Sequence, residues 1–272
     1  MKQTLIAPFE LGLLESIKDN GIIVLLDSLG QWNQAAEYVS GNRKVIGIVL
    51  RDANIDRSEA LGFKYDKIAL PVYVYCSFNG NKYEVLRSLE NAKKYENVNY
   101  FVPLDEGGVW AAKVLSSSGV RSSVAVFESK DIDADLFLEA ATYSILCPVP
   151  HTFIEPFGFL QSKTEKKAKY INLKEYFWSD PSYYLWLDRE GKVHASYEDL
   201  KNGEILSESL SSLDVNVMEE ISSKSKFDVF YSHFLNHSEC EACPLMKICC
   251  GMFKNKFENC RDIMSELYNL IS

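Results

Sequence analysis

The sequence predicts an α/β protein: a partial (βα)6 barrel or open parallel sheet, followed by a small cysteine-rich α+β domain. Short apolar runs alternate with polar or amphipathic segments between residues 21 and 150, which is typical of parallel βα units. The alternation stops at 151–182, an aromatic stretch with two prolines, and cysteines cluster after it. We therefore predict a βα domain at 1–150, a junction at 151–182 and the cysteine-rich domain at 183–272.

Six apolar runs are the predicted strands of the first domain. Each is rich in Val, Ile, Tyr or Phe and almost continuously apolar, as strands buried on both faces are. They are GIIVLLDS (21–28), KVIGIVLRD (44–52), KIALPVYVYCS (67–77), NVNYFVPLD (97–105), RSSVAVFES (121–129) and TYSILCPVP (142–150). A complete eight-stranded barrel would need about 250 residues, so these strands predict a partial one.

Helices are predicted where amphipathic segments separate these runs. NKYEVLRSLENAKKY (81–95) places its apolar residues on one face, and GGVWAAKVLSSSG (107–119) ends at a glycine, as helices often do. Beyond the junction, we predict a hairpin of YYLWLD (183–188) and KVHASY (192–197), a helix near 215–235, and a final helix from 260.

Composition and charge exclude several classes of protein. The net charge of −9 and the lack of a basic stripe argue against nucleic-acid binding, since the 38 acidic residues outnumber the 29 lysines and arginines that could replace phosphate counterions. No apolar run approaches the ~20 residues that span a bilayer, and the N-terminal residues do not resemble a signal peptide. We therefore expect a cytoplasmic protein with no membrane partner. In that compartment clustered thiols favour metal binding over disulfides.

Five of the seven cysteines fall in CEACPLMKICCGMFKNKFENC, residues 240–260. Cys240 and Cys243 form a Cx2C turn, Cys249 follows after five residues with Cys250 beside it, and Cys260 comes ten residues later. Four thiolates suit either a 4Fe–4S cluster or a tetrahedral zinc ion, and the spacing does not separate the two. The proline after the second cysteine and the Cys-Cys-Gly turn favour the cluster.

The stretch from about 184 to 262 resembles a SPASM domain, the C-terminal extension of radical-SAM peptide maturases. The resemblance lies in the hairpin LDREGKVHAS, the later NGEIL, an intact Cx2Cx5C, and a closing cysteine. It implies that one 4Fe–4S cluster is held by four residues: Cys240, Cys243, Cys249 and Cys260. Phe253 stands where the family has a further cysteine, and Ala195 or Ser196 where its hairpin has one. The resemblance therefore implies that a second cluster is lost and that Cys250 is a spare thiol or substitute ligand.

The first domain lacks the cysteines of radical chemistry. Radical-SAM enzymes bind a catalytic cluster through Cx3Cx2C after the first barrel strand, and no cysteine follows GIIVLLDS here. Cys76 and Cys147 lie in apolar runs, where a small buried side chain is expected. The chain thus resembles a degenerate radical-SAM/SPASM protein of the grasp-with-spasm type. This implies a partial barrel of radical-SAM type, without a functional S-adenosylmethionine cluster.

Two other groups of residues are candidate sites. Asp105, Glu128 and His151 follow predicted strands, where βα proteins carry their active sites, and such a set can perform acid–base catalysis. Carboxylates at these positions also serve as helix caps. Glu155, in the aromatic HTFIEPFGF (151–159), is a candidate peptide-binding residue or part of a packed hinge. No GxGxxG, GxxxxGK[ST], GxSxG or HExxH motif is present.

These observations lead to one principal hypothesis. The protein is an accessory or recognition factor in the modification of a ribosomally made peptide. It binds the precursor peptide, a partner ATP-grasp ligase, or both, with edge-strand pairing as the expected mode of peptide capture. Its one cluster is structural. The alternatives are an enzyme that uses the strand-end carboxylates and His151, and a zinc-bound protein-interaction module.

Overall fold

One nine-stranded sheet organises the chain, whose computed structural model describes residues 3–54, 60–65, 68–126, 132–165, 173, 177–178, 180–181, 183–213, 240, 243–249, 253 and 256–272. The strands are β1 (Thr4–Pro8), β2 (Gly21–Leu26), β3 (Val45–Asn54), β4 (Val72–Ser77), β5 (Val98–Val102), β6 (Ser122–Val124), β7 (Ile154–Glu155), β8 (Tyr184–Leu187) and β9 (Val193–His194). Their order across the sheet is β7-β6-β5-β4-β3-β2-β1-β8-β9.

All neighbouring strands are parallel except β8 and β9, which form an antiparallel hairpin. Because β1 to β7 add to the sheet in one direction, right-handed crossovers place the connecting helices on one face. The helices are α1 (Leu11–Ser16), α2 (Trp32–Gly41), α3 (Lys82–Ala92), α4 (Glu106–Ser117), α5 (Ala134–Leu146), α6 (Phe157–Glu165), α7 (Tyr197–Asn202), α8 (Met246–Cys249) and α9 (Cys260–Ile271). Among the described helices, none has the length and apolar character needed to cross a bilayer.

The sheet is buried on both faces. On the outer face, side chains such as Leu5, Val24 and Val74 pack against the connecting helices. On the inner face, the alternate residues form a second apolar group: Ile6, Ile23, Leu25, Val49, Trp178 and Trp186. Burial of both faces is the reason that the strands are almost continuously apolar in sequence, and the predicted α/β class with a mostly parallel sheet is confirmed.

The prediction of a strand at 142–150 is wrong. Its first half is the end of α5, which begins after Asp133, and its second half has no regular structure. The helix buries Phe137, Ala140, Ala141 and Ser144, which recur at intervals of three and four residues. The segment 142–150 contains only the last of them, so this helical spacing was not visible in it. Two short strands, β1 and β7, were not predicted.

The C-terminal part of the chain adds to the same sheet and the same core. β8 pairs in parallel with β1, with Trp186 beside Ile6. At the other end of the strand order, α9 packs against α5 and α6, and the Ile132 N–H donates to the Lys256 carbonyl oxygen at 2.9 Å. The apolar core of the outer face consequently extends from Leu5 to Ile271. The division at 151–182 into two domains remains a prediction, and the helix predicted near 215–235 lies outside the described residues.

Candidate functional site

The cysteine segment, residues 240–260, places its described thiols on two helix ends and the turn before them. The Cys243 N–H donates to the Cys240 carbonyl oxygen at 3.1 Å, and the Met246 N–H donates to the Cys243 carbonyl oxygen at 3.1 Å. The turn leads into α8, which ends at the buried Cys249, and Cys260 begins α9. The six described cysteines form no disulfide, and Cys250 lies outside the described residues.

Opposing effects act on the thiol of Cys243, and burial prevails, so its pKa lies above the ordinary value. Burial raises the pKa of Cys243, whereas the backbone N–H groups of Leu245 and Met246 and the charge of Arg261 lower it. N–H groups directed at a sulfur stabilise its thiolate, which is the form that binds metals, and they also tune iron–sulfur clusters. The local backbone is therefore suited to a metal-bound sulfur at this position.

The donor set fits a four-thiolate site by its chemistry, but the thiols of this structure do not converge. The Cys260 Sγ atom lies 3.6 Å from the Phe253 carbonyl oxygen, to which it donates. Within the described part of the chain, no three His, Cys, Asp or Glu side chains lie close enough together to hold an ion. A cluster or a zinc ion would require the thiols to turn toward one another.

Phe253 is part of the apolar core. Its side chain is completely buried, with its ring centroid 5.4 Å from that of Phe137 on α5 and 5.9 Å from that of Phe257. Phe137 also contacts Phe157 of α6 at 5.1 Å. The position at which the resembled family has cysteine thus packs the cysteine segment against α5. Ser196, the hairpin counterpart, caps α7 by accepting the Asp199 N–H at 3.1 Å.

The inner face carries a cation enclosed by aromatic rings. The Cζ atom of Arg51 lies 3.4 Å from the ring centroid of Tyr197, 5.0 Å from that of Tyr75 and 6.0 Å from that of Trp186. These three rings belong to α7, β4 and β8, so the arginine joins three elements that are distant in sequence. The sequence placed Arg51 at a strand end, but only the fold brings its aromatic neighbours to it.

Glu155 is a half-buried carboxylate on β7. Its Oε2 atom accepts the Phe159 N–H at 2.8 Å, so the side chain caps the first turn of α6. Burial raises the pKa of Glu155 above its ordinary value, although the Phe159 N–H and the charge of Arg121 act in the opposite direction. The observed hydrogen bond explains the Glu155 carboxylate as part of the local structure. Contact between Glu155 and a peptide remains a prediction.

Asp105 and His151, the two described members of the predicted acid–base set, lie apart. Asp105 caps α4 by accepting the Gly108 N–H at 2.7 Å, whereas His151 lies near the other end of that helix, where the Thr152 N–H donates to the Ser116 carbonyl oxygen. Twelve helical residues separate these ends by about 18 Å. The His151 ring nitrogens lie 2.7 Å and 2.9 Å from two backbone carbonyl oxygens. Glu128 lies outside the described residues.

The two edge strands offer little backbone for pairing. β7 and β9 have two residues each. The Ile154 N–H and carbonyl oxygen of β7 are both bonded to the Ser144 hydroxyl, at 2.9 Å and 3.2 Å. In β9, Val193 exchanges two bonds of 2.8 Å with Leu206 and Ser207. Edge-strand capture of a peptide, which we expected from the sequence, is disfavoured because these groups already have partners.

Comparison with known proteins finds no matching family model, no matching curated protein and no matching solved structure. The function of the protein is therefore inferred from its residues and their geometry.

Proposed function

We propose that this protein is a non-radical accessory factor in the maturation of a ribosomally made peptide, with one structural 4Fe–4S cluster held by Cys240, Cys243, Cys249 and Cys260. The observation that carries the proposal is the Cx2Cx5C set with its closing cysteine, in a chain without a Cx3Cx2C motif. This combination is that of a radical-SAM/SPASM protein that has kept one auxiliary cluster and lost the catalytic one.

A structural role follows from the number of ligands. Four cysteines fill the four protein positions of a 4Fe–4S cluster and leave no iron open to S-adenosylmethionine. When bound, the cluster would cross-link the segments around α8 and α9. Phe253 and Phe257 hold the cysteine segment against α5. The N–H groups of Leu245 and Met246 act to lower the pKa of Cys243 and so favour its thiolate, although burial acts in the opposite direction.

The proposed peptide-binding role rests on the side chains of the inner face. The inner face combines partly exposed tyrosines with Arg51, a surface of the kind that binds peptide side chains. We assign the precursor peptide to this face, and the resemblance implies an ATP-grasp ligase as a further partner in the cytoplasm. The acid–base alternative loses support, because Asp105 caps a helix and His151 lies at the far end of it.

Metal analysis tests the cluster. Protein purified without oxygen should contain about four iron and four sulfide per chain. Cys249→Ser should lose most of both, whereas Cys147→Ser, at the end of α5, should retain them. Stoichiometric zinc without sulfide would refute the iron–sulfur cluster and support the zinc-bound alternative. The Cys250→Ser variant decides whether the fifth thiol is a ligand.

The maturation role needs a separate test. The protein should be required for modification when precursor peptide and ATP-grasp ligase from the same genome are supplied with it. A triple variant, Asp105→Asn, Glu128→Gln and His151→Gln, should leave that modification intact. Loss of modification by the variant, with folding and peptide binding unchanged, would favour the enzyme alternative.

A further inference from the structure

A proline sets the C-terminal end of α5. The helix ends at Leu146, and Cys147 is already extended, with a ψ angle of 121°, as residues before a proline usually are. In a continuing helix the Ser144 carbonyl oxygen would accept the N–H of residue 148, but Pro148 has no N–H. The Ser144 carbonyl oxygen is therefore an unsatisfied acceptor of the helix end and needs a partner from outside the helix.

His151 is that partner. Its Nε2 atom lies 2.9 Å from the Ser144 carbonyl oxygen, and its Nδ1 atom lies 2.7 Å from the Val149 carbonyl oxygen. The ring also packs against Tyr143 of α5, with the two ring centroids 5.6 Å apart. The imidazole thus bridges the end of α5 and the segment that leaves it, residues 147–151.

Protonation determines how many of these two bonds can form. A carbonyl oxygen only accepts, so each ring nitrogen must carry a hydrogen to bond its carbonyl. A neutral imidazole has one N–H and directs a lone pair at the second oxygen, whereas the imidazolium donates from both nitrogens. The negative end of the helix dipole, at the C-terminus of α5, also favours a cation. The observed geometry therefore matches the protonated ring of His151.

The charges around the ring are of both signs. The described titratable and charged groups at this end of α4, α5 and β7 are Lys113, Arg121, Glu139, Tyr143, Cys147 and Glu155. Lys113 pairs with Glu139, and the charge of Arg121 acts on Glu155. Burial raises the pKa of Tyr143, which leaves this phenol neutral. These neighbours add no large net charge, so the carbonyl contacts and the helix end determine which form of the ring is favoured.

The residues after the ring are held by other bonds. The Thr152 N–H donates to the Ser116 carbonyl oxygen at 3.1 Å, and the Ile154 backbone is bonded to the Ser144 hydroxyl at 2.9 Å and 3.2 Å. Residues 148–150, by contrast, are exposed. Loss of a ring contact should therefore loosen this short segment without releasing β7.

We propose that His151 is a proton-dependent clasp, which holds the segment 147–151 against the C-terminal end of α5 when the ring is protonated and loosens it when the ring is neutral. The folded chain gains a bond from the proton that the open segment does not, so the closed form is favoured at acid pH and loses this advantage as the pH rises. The relevant range is about pH 5.5 to 8, in which histidine side chains change charge. The clasp does not depend on the proposed function.

Hydrogen exchange of the full chain tests the clasp. Peptides that cover 145–153 are measured at about pH 5.5 and about pH 8, with correction for the intrinsic exchange rates. Opening exposes the Cys147 N–H, which donates to the Tyr143 carbonyl oxygen at 3.2 Å. The opening equilibrium constant should be about tenfold smaller at the lower pH, as expected for one hydrogen bond to a charged group. Peptides from α3 should show no such decrease.

Matched variants assign the effect to the ring. His151→Gln has a side chain that does not titrate, so opening should be the same at both pH values. Glu155→Gln removes the nearby carboxylate with a raised pKa and should keep the pH dependence of this segment. Equal opening of the unmodified chain at both pH values would overturn the clasp, and this comparison is decisive even where a variant does not fold. The same decrease in α3, a dependence retained in His151→Gln, or one lost in Glu155→Gln would also overturn it.

Discussion

Phe253 shows how a single side chain can be interpreted differently from sequence and from structure. In the sequence its importance lay in what it replaced, a cysteine of the resembled family. In the structure it fills the space between α5 and the cysteine segment, with Phe137 and Phe257 as neighbours. The side chain is used for packing here, as is expected if the second cluster of the resembled family is lost.

Replacement of Phe253 by alanine should reduce the free energy of unfolding by about 3–5 kcal/mol, because a completely buried aromatic ring leaves a cavity. Phe253→Cys should also destabilise, without adding iron, since its partner positions have no thiol. Urea unfolding and iron analysis measure the two effects. An increase in iron beyond the amount in the unmodified protein would show that the second site is still present.

Glu155 should make stability depend on pH. Its pKa is raised above 4.5 in the folded chain, so the native state binds more protons than the unfolded state in the pH range just above that value. The contribution is complete below 4.5 and is lost as the pH rises through the folded pKa, so the free energy of unfolding should fall. Glu155→Gln should remove this part of the dependence, and the exposed Glu106→Gln should not. Parallel pH profiles for all three proteins would contradict the assignment.

At the scale of elements, strand-to-helix turns account for several polar residues that resemble catalytic groups. Asp105 and Asp133 accept N–H bonds at the first turns of α4 and α5. Gly108 follows the first of these caps, and a Cβ atom there would lie 1.9 Å from the Pro103 carbonyl oxygen. The close approach of helix and strand therefore requires glycine, and the acidic cap is part of the same turn.

Asp105→Ala should destabilise the protein by about 1 kcal/mol through loss of the cap, while Asp105→Asn should cost much less because its amide oxygen still accepts the Gly108 N–H. Thermal unfolding gives the difference. Peptide modification should be unchanged in both variants; a specific loss of activity in Asp105→Asn would restore Asp105 as a catalytic candidate.

Several elements with a long, uniform pattern were predicted correctly, although α5 was not, and short elements set by their neighbours were missed. The runs that became β2 to β6 are buried on both faces, and α3 and α4 have regular apolar faces, so local sequence contains the signal. β7 has two residues and exists because Ser144 and β6 hold its backbone. The register shift in β3 between Leu50 and Ala53 has no sequence signature either, since it depends on the pairing of β3 with β4.

At the scale of the whole molecule, one sheet and one outer core include both ends of the chain. β8 lies beside β1, and α9 packs on α5, so the predicted junction at 151–182 lies between parts that share contacts at two places. Removing either part would expose apolar surface of the other.

We therefore expect unfolding in a single cooperative transition. Far-UV circular dichroism and tryptophan fluorescence should give coincident urea curves, because Trp32 and Trp186 lie on opposite faces of the same sheet. Two separated transitions would instead support independent domains divided at 151–182. The comparison should be made on the metal-free and metal-loaded protein, since a ligand of the native state shifts the midpoint.

The sequence by itself determined the α/β class, most strands of the sheet and the thiols available to a metal, because these depend on local apolar patterns and on residue identity. It also determined the absence of a Cx3Cx2C motif, on which the proposed loss of radical chemistry rests. The tertiary structure decided which side chains meet. It separated Asp105 from His151 along α4, placed Phe253 in the core, and brought three aromatic rings around Arg51. Those contacts join residues far apart in the chain, and only the strand order and register bring them together.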